Sequence, residues 1–142
     1  LVYDEKEKMI AAIHAGWKGA FKGIIERTLN FMIKKGCDPK NVTAVIGPCI
    51  SVKNYEVKKD FIKKLIKKDG KNKKFFKKIQ NKDFFDLKKY VLSQLKALNI
   101  KKIDIINKNT FNPKNNFFSA RRSISRNEND YGRNISVIMI NS

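Results

Sequence analysis

The sequence predicts an α/β domain, and three observations predict it. Short β-branched runs alternate with segments of helical periodicity. Gly and Pro punctuate the changeovers, and the apolar fraction, 42% of 142 residues with ten Phe among them, is enough for one real core. The expected architecture is therefore a single domain over residues 1–142, a mixed β-sheet with flanking helices.

The elements follow in order. Leu1, Val2 and Tyr3 read as a strand cut partway through, so the domain is expected to be N-terminally truncated. Residues 9–14, MIAAIH, form a continuous apolar run that ends at the glycine-containing turn AGWKG, which predicts a buried strand. From Ala20 the period changes: Phe21, Ile24, Ile25, Thr28, Leu29 and Met32 share one helical face, and Gly36 followed by Pro39 stops the helix. Residues 42–46 are a second strand, broken by Gly47-Pro48, and residues 57–68 a basic amphipathic helix with Phe61, Ile62, Leu65 and Ile66 on one face. Residues 67–78 read as a charge-dense connector. Leu87, Tyr90, Val91, Leu95 and Leu98 mark a further helix, and residues 103–106 a further strand. Residues 107–133 are polar, irregular and too long for a plain connection, which suits a functional loop. The chain closes on residues 135–140, ISVIMI, a strong strand signal.

Charge excludes less than it first suggests. The chain carries 32 Lys and Arg against 13 Asp and Glu, a net +19. Its lysines fall in doublets such as Lys34-Lys35, Lys63-Lys64, Lys77-Lys78 and Lys101-Lys102, among many Asn and Ile. A compositional bias toward Lys, Asn and Ile yields that pattern as a solvated surface, and with no binding motif present no nucleic-acid partner is expected. The apolar runs fall far short of the roughly 18 residues of a membrane helix, so no membrane partner is expected either. Two cysteines, Cys37 and Cys49, cannot build a disulfide framework, which fits a reducing cytoplasm.

The chemistry gathers at two places. His14, the single histidine, closes a strand just before a helix, the end of an α/β strand where ligands collect. Gly16 and Gly19 beside it let the backbone approach a substrate, and the helix that follows offers unpaired N–H groups to an anion. The second place is the long loop, where Arg121, Arg122 and Arg133 flank FFS and a glycine. With Lys18, they can make charge-assisted hydrogen bonds to phosphate. Cys49 reads as a buried, inert thiol, Cys37 even more so.

Four ordered motifs, HAGWKG (14–19), IGPCIS (46–51) with YEV (55–57), FFSARR (117–122) and YGR (131–133), resemble the YfiH-like laccase-domain family. The resemblance covers essentially the whole chain and corresponds to the C-terminal part of the family domain. It implies a YfiH-like fold and a zinc-dependent purine nucleoside phosphorylase acting on adenosine, inosine and methylthioadenosine, with adenosine deamination as a further activity. It makes His14 a metal ligand whose partners lie outside this sequence. From their positions in the long loop and beside His14, Arg121 and Arg133 are expected to be catalytic, and Gly16, Lys18, Gly19, Ser119 and Arg122 to contact substrate or phosphate. The partners so implied are purine nucleosides and inorganic phosphate. Departures occur at Lys18, where the family has Arg; at Ala120, where it has an aromatic or His; at Asn109-Thr110, where it has Cys-Thr; and at Tyr131, where Thr is common. The family's older label, a copper-dependent polyphenol oxidase, is the rival: one His and two Cys supply neither the imidazoles of several coppers nor a blue-copper set. A basic nucleic-acid-binding module, whose affinity would fall steeply with salt, or an inactive remnant is the further alternative.

Overall fold

The structure is a computed structural model that describes residues 1–141. In chain order the elements are β1 (Val2–Asp4), β2 (Met9–Ala11), α1 (Trp17–Phe21), α2 (Ile24–Lys34), β3 (Val42–Ile46), α3 (Lys59–Lys68), β4 (Phe76–Ile79), β5 (Lys82–Phe85), α4 (Leu87–Ala97), β6 (Lys102–Ile105) and α5 (Ala120–Ser125). The chain divides into two compact units. The first comprises Leu1–Gly47, Val91–Asn107 and the residues from Ile135 onward; the second comprises Pro48–Tyr90 and Lys108–Asn134.

The first unit holds a four-stranded mixed sheet in the order β2-β1-β3-β6. β1 pairs antiparallel with both β2 and β3, while β3 and β6 run parallel with Ala44 opposite Ile103. β3 alternates strictly: Val42, Ala44 and Ile46 are buried and the residues between them half-buried. Asp4 turns the chain from β1 to β2: its Oδ1 accepts the Lys6 and Glu7 amides at 3.0 and 3.2 Å, while its buried Oδ2 has no hydrogen-bond partner among the described residues. Ile25, Leu29 and Met32 place the apolar stripe of α2 in the core. α2 ends in a Schellman arrangement: Gly36 sits at φ +107, its amide bonded to Ile33 O, and the Cys37 amide reaches Met32 O.

The second unit is organised around Phe85, which is wholly buried. The rings of Tyr55, Phe61, Phe76 and Tyr90 lie 5.1–5.8 Å from it, most of them edge-on or tilted. β4 and β5 form a hairpin whose two turn residues, Gln80 and Asn81, both have positive φ, as a two-residue primed turn requires. The backbone of residues 55–57 runs along β5, with Phe85 N bonded to Tyr55 O and Val57 N to Asp83 O.

Several expectations are corrected. The predicted charge-dense connector contains a 3-10 turn at Gly70–Phe75 and the strand β4, because Phe75 and Phe76 have a core to enter. The helix predicted from Ala20 is two, since Gly23 at φ +80 separates α1 from α2. The strand predicted over residues 9–14 stops at Ala11, leaving His14 in a loop. The long loop contains α5. Residues 135–140 form no strand: among the described residues nothing pairs with them, and a strand without a neighbour leaves its backbone groups unmet. Ile135, Val137 and Met139 are 88, 70 and 75% exposed. Replacing Val137 and Met139 together by Ser is accordingly expected to change the unfolding free energy of this chain by no more than about 0.5 kcal/mol per site in urea titration, since surface positions that bury nothing contribute little.

Candidate functional site

The first location lies in the first unit. His14 is exposed in the loop between β2 and α1, and two glycines close around it. A side chain on Gly16 would begin 3.3 Å from His14 Nε2, and one on Gly19 would begin 3.2 Å from His14 O. Both positions therefore keep space open at the imidazole and at its own backbone. The α1 helix after the loop has only five residues, so its N-terminal dipole is small, and Gly16 caps it without a side-chain bond. Gln94 anchors it instead, its amide donating to Ala20 O at 3.1 Å. Lys18 is exposed, its ammonium 5.8 Å from the centre of the Trp17 ring.

A catalytic zinc site takes three protein ligands. Among the described residues no three His, Cys, Asp or Glu side chains converge, and His14 is the chain's single histidine. These residues supply one donor and do not by themselves fit the implied zinc, so no chemical step is derived through it.

The second location lies in the second unit and joins three of the four motifs. Asn109 is its hub: Oδ1 accepts the amides of Ser51 and Phe111 at 3.1 and 3.0 Å, and Nδ2 donates to Asn54 Oδ1 at 2.9 Å. Cys49 pairs its backbone with the same strand of loop, through Lys108 O and the Thr110 amide. Burial pushes the Cys49 thiol up; the Lys88 ammonium opposes this and the Asp86 carboxylate adds to it. Cys49 is half-buried, not fully buried as expected; a raised pKa favours its protonated thiol, the poorer nucleophile.

FFSARR folds as the entry to α5. The Ser119 hydroxyl accepts the Arg122 amide at 3.3 Å and so caps the helix, and Ser119 is buried. Arg122 faces back under the loop, its guanidinium donating to the carbonyls of Thr110, Phe111 and Phe117 at 2.9, 3.1 and 2.6 Å. Arg121 points elsewhere: it is exposed, with its guanidinium carbon 5.1 Å above the centre of the Tyr55 ring. Burial raises the Tyr55 hydroxyl's pKa, and Arg121 works against that rise. YGR returns to FFS through Asn134, which pairs both amide groups with the Phe118 backbone at 2.8 and 2.9 Å. A Cβ on Gly132 would lie 2.5 Å from the Phe118 ring, so this contact requires glycine unless the ring moves. Arg133 is exposed, donates to Tyr131 O and stacks 4.0 Å from the centre of the Tyr131 ring.

The structure thus brings Arg121 to Tyr55, and FFSARR to YGR, within one unit. His14, Gly16, Lys18 and Gly19 belong to the other. Arg121 and Arg133 are exposed with their guanidinium groups over aromatic rings, whereas Arg122 and Ser119 are engaged in holding the loop. Asn54 is a residue that sequence reasoning does not name, and Asn109 and Tyr55 enter it only as a departure from the family pattern and as part of a motif, without a structural role. Their signal is faint, because an Asn hub is defined by partners 55 to 58 positions away.

An α/β chain with this sheet and these loops has solved counterparts. The Bacillus licheniformis hypothetical protein YfiH superposes with a TM-score of 0.77 at 29% identity, covering 87% of this chain and 48% of that one. A Neisseria meningitidis protein of the DUF152 family gives 0.73 at 26% identity, over 85 and 49%. The chain belongs to the family described as multi-copper polyphenol oxidoreductase laccase, whose model it matches over residues 1–141. Curated relatives carry the name purine nucleoside phosphorylase. One from Rickettsia conorii is 38% identical over 130 residues, 90% of this chain and 53% of the relative, and one from Haemophilus influenzae is 35% identical over 132 residues, 91 and 51%. The chain spans about half the length of these curated relatives. No described helix is long and apolar enough to cross a membrane.

Proposed function

We propose that this chain forms part of a cytoplasmic purine nucleoside phosphorylase that cleaves adenosine, inosine and methylthioadenosine with inorganic phosphate. The observation that carries the reading is the match, over nine-tenths of the chain, to relatives named for that activity. The loop geometry supports it. Phosphorolysis asks the protein to hold a dianion in line with a sugar carbon that becomes cationic as the glycosidic bond breaks, a task of positioning and electrostatics. Arg121 and Arg133 are assigned that task because they are exposed, with their guanidinium groups over aromatic rings, while Arg122 fixes the loop that carries them. The assigned roles of Gly16 and Gly19 are to keep space at His14, and that of Lys18 is to add a point charge. His14 is assigned to the zinc ligand set, the other donors coming from outside this chain. Deamination of adenosine is the second activity proposed for the complete protein. Copper-dependent phenol oxidation is the alternative, favoured only by the family's description.

In the full-length protein, free base is expected from inosine or adenosine only when phosphate is present, followed by chromatography, and His14→Ala abolishes it. Arg121→Gln or Arg133→Gln is expected to raise the phosphate requirement by about tenfold or more, the loss of one charged hydrogen bond being worth about 1.5–3 kcal/mol. Base release that ignores phosphate, or metal-dependent oxidation of a phenol with no base release, overturns the reading.

A further inference from the structure

We propose that the second unit binds the phosphate backbone of duplex nucleic acid through α3, the 3-10 turn after it and β4, an interaction separate from the proposed nucleoside chemistry. The lysines are not evenly divided between the two units. The second unit carries 21 Lys and Arg against 7 Asp and Glu, a net +14, and the first carries 11 against 6, a net +5, although the units are of nearly equal length. Most of the excess lies in residues 58–78, with eleven lysines, all exposed, against Asp60 and Asp69. Two carboxylates cannot neutralise eleven ammonium groups.

The helix geometry sorts these charges. At 100° per residue, Lys59, Lys63, Lys67, Lys64 and Lys68 cover about half the circumference of α3, and Phe61, Leu65, Ile62 and Ile66 cover the other half. The apolar half is occupied: Leu65 is 1% exposed and the Phe61 ring packs edge-on against Phe76 and Phe85. The 3-10 turn is tied to the helix by Asn72, whose buried amide donates to Leu65 O at 2.8 Å, and it adds the exposed Lys71, Lys73 and Lys74 directly after α3, Lys74 with its ammonium 5.2 Å from the centre of the Phe75 ring.

The chemistry of this face selects the partner. A membrane-surface helix inserts an exposed apolar side, and α3 has none to insert. A protein interface is centred on apolar or aromatic anchors, and the large apolar side chain exposed in this stretch is Ile79 alone. Single-stranded nucleic acid is held by base stacking on exposed rings, whereas Phe75 is buried and Phe61 and Phe76 pack on each other. A dense array of exposed ammonium groups without stacking platforms matches a regular run of phosphates, bound without regard to sequence.

The test is fluorescence anisotropy of the 142-residue chain with a labelled 20-base-pair duplex of arbitrary sequence across a salt series. At about 150 mM salt the expected dissociation constant is about 1–100 μM, the range of non-specific binding. Changing Lys59, Lys63, Lys67 and Lys77 to Gln is expected to weaken binding at least tenfold and to flatten the log–log salt slope by about three to four. The matched change of Lys6, Lys22, Lys34 and Lys40 in the first unit is expected to weaken it less than threefold, with circular dichroism showing both variants folded. Equal weakening by the two sets reduces the effect to net charge and overturns the proposal. So does the absence of binding at 150 mM salt, and so does binding to phosphatidylserine vesicles without binding to the duplex.

Discussion

Phe85→Ala is expected to destabilise the chain by about 3–5 kcal/mol, the range for truncating a large buried aromatic side chain. Phe85 is the shared partner of Tyr55, Phe61, Phe76 and Tyr90, so its removal opens a cavity that four rings border at once. Those rings are carried by different segments: residues 55–57, α3, β4 and α4. They cannot all move inward without breaking the β4–β5 ladder. A loss of this size takes a large share of a small domain's stability. It is read as a lower midpoint in urea unfolding, with Phe85→Leu expected to recover part of the loss because it refills part of the volume. A Phe85→Ala midpoint within error of the parent shows that the ring cluster is not the core of the second unit.

Arg122→Ala is expected to release residues 107–119 and to cost about 2–3 kcal/mol. Three carbonyls, of Thr110, Phe111 and Phe117, converge on one guanidinium, and each loses its partner in a half-buried setting. The figure is set below three full charged hydrogen bonds because water reaches part of the site. Arg122→Lys is expected to behave nearly like Ala: a single ammonium lacks the planar fork that spans carbonyls on both sides of the loop. Amide hydrogen exchange distinguishes this from a general loss of stability. Protection is expected to fall at the amides of Phe111 and Asn115, which close the loop onto Asn109 and Asn112, while β3 and β6 in the first unit keep theirs. Unchanged exchange in the loop would show that Arg122 is free for other work.

Much of the fold is legible in the sequence, for local reasons. β3 is legible because VTAVI alternates between core and half-buried faces, and α2 because Ile25, Leu29 and Met32 return at helical spacing before Gly36. The four motifs are legible because each is a contiguous run of unusual residues, and together they indicate the family that the comparisons show. Other features stay hidden because their cause lies elsewhere in the chain. The hairpin β4–β5 reads as a charged connector until Phe76 and Phe85 find the rings they pack against. The break at Gly23 depends on a backbone angle that a helical pattern of apolar residues cannot reveal.

The sequence by itself determines the α/β class, most element positions, the family and the candidate residues, because periodicity, turn chemistry and motif order are local properties of the chain. Only the tertiary structure decides which candidates act together and what each does. It turns Arg122 under the loop and Arg121 out over Tyr55, although the two are neighbours in sequence, because successive residues of a helix point about 100° apart and only one can meet the three carbonyls. It denies residues 135–140 the strand their composition favours, because a strand is made by its neighbour's hydrogen bonds and none is offered here.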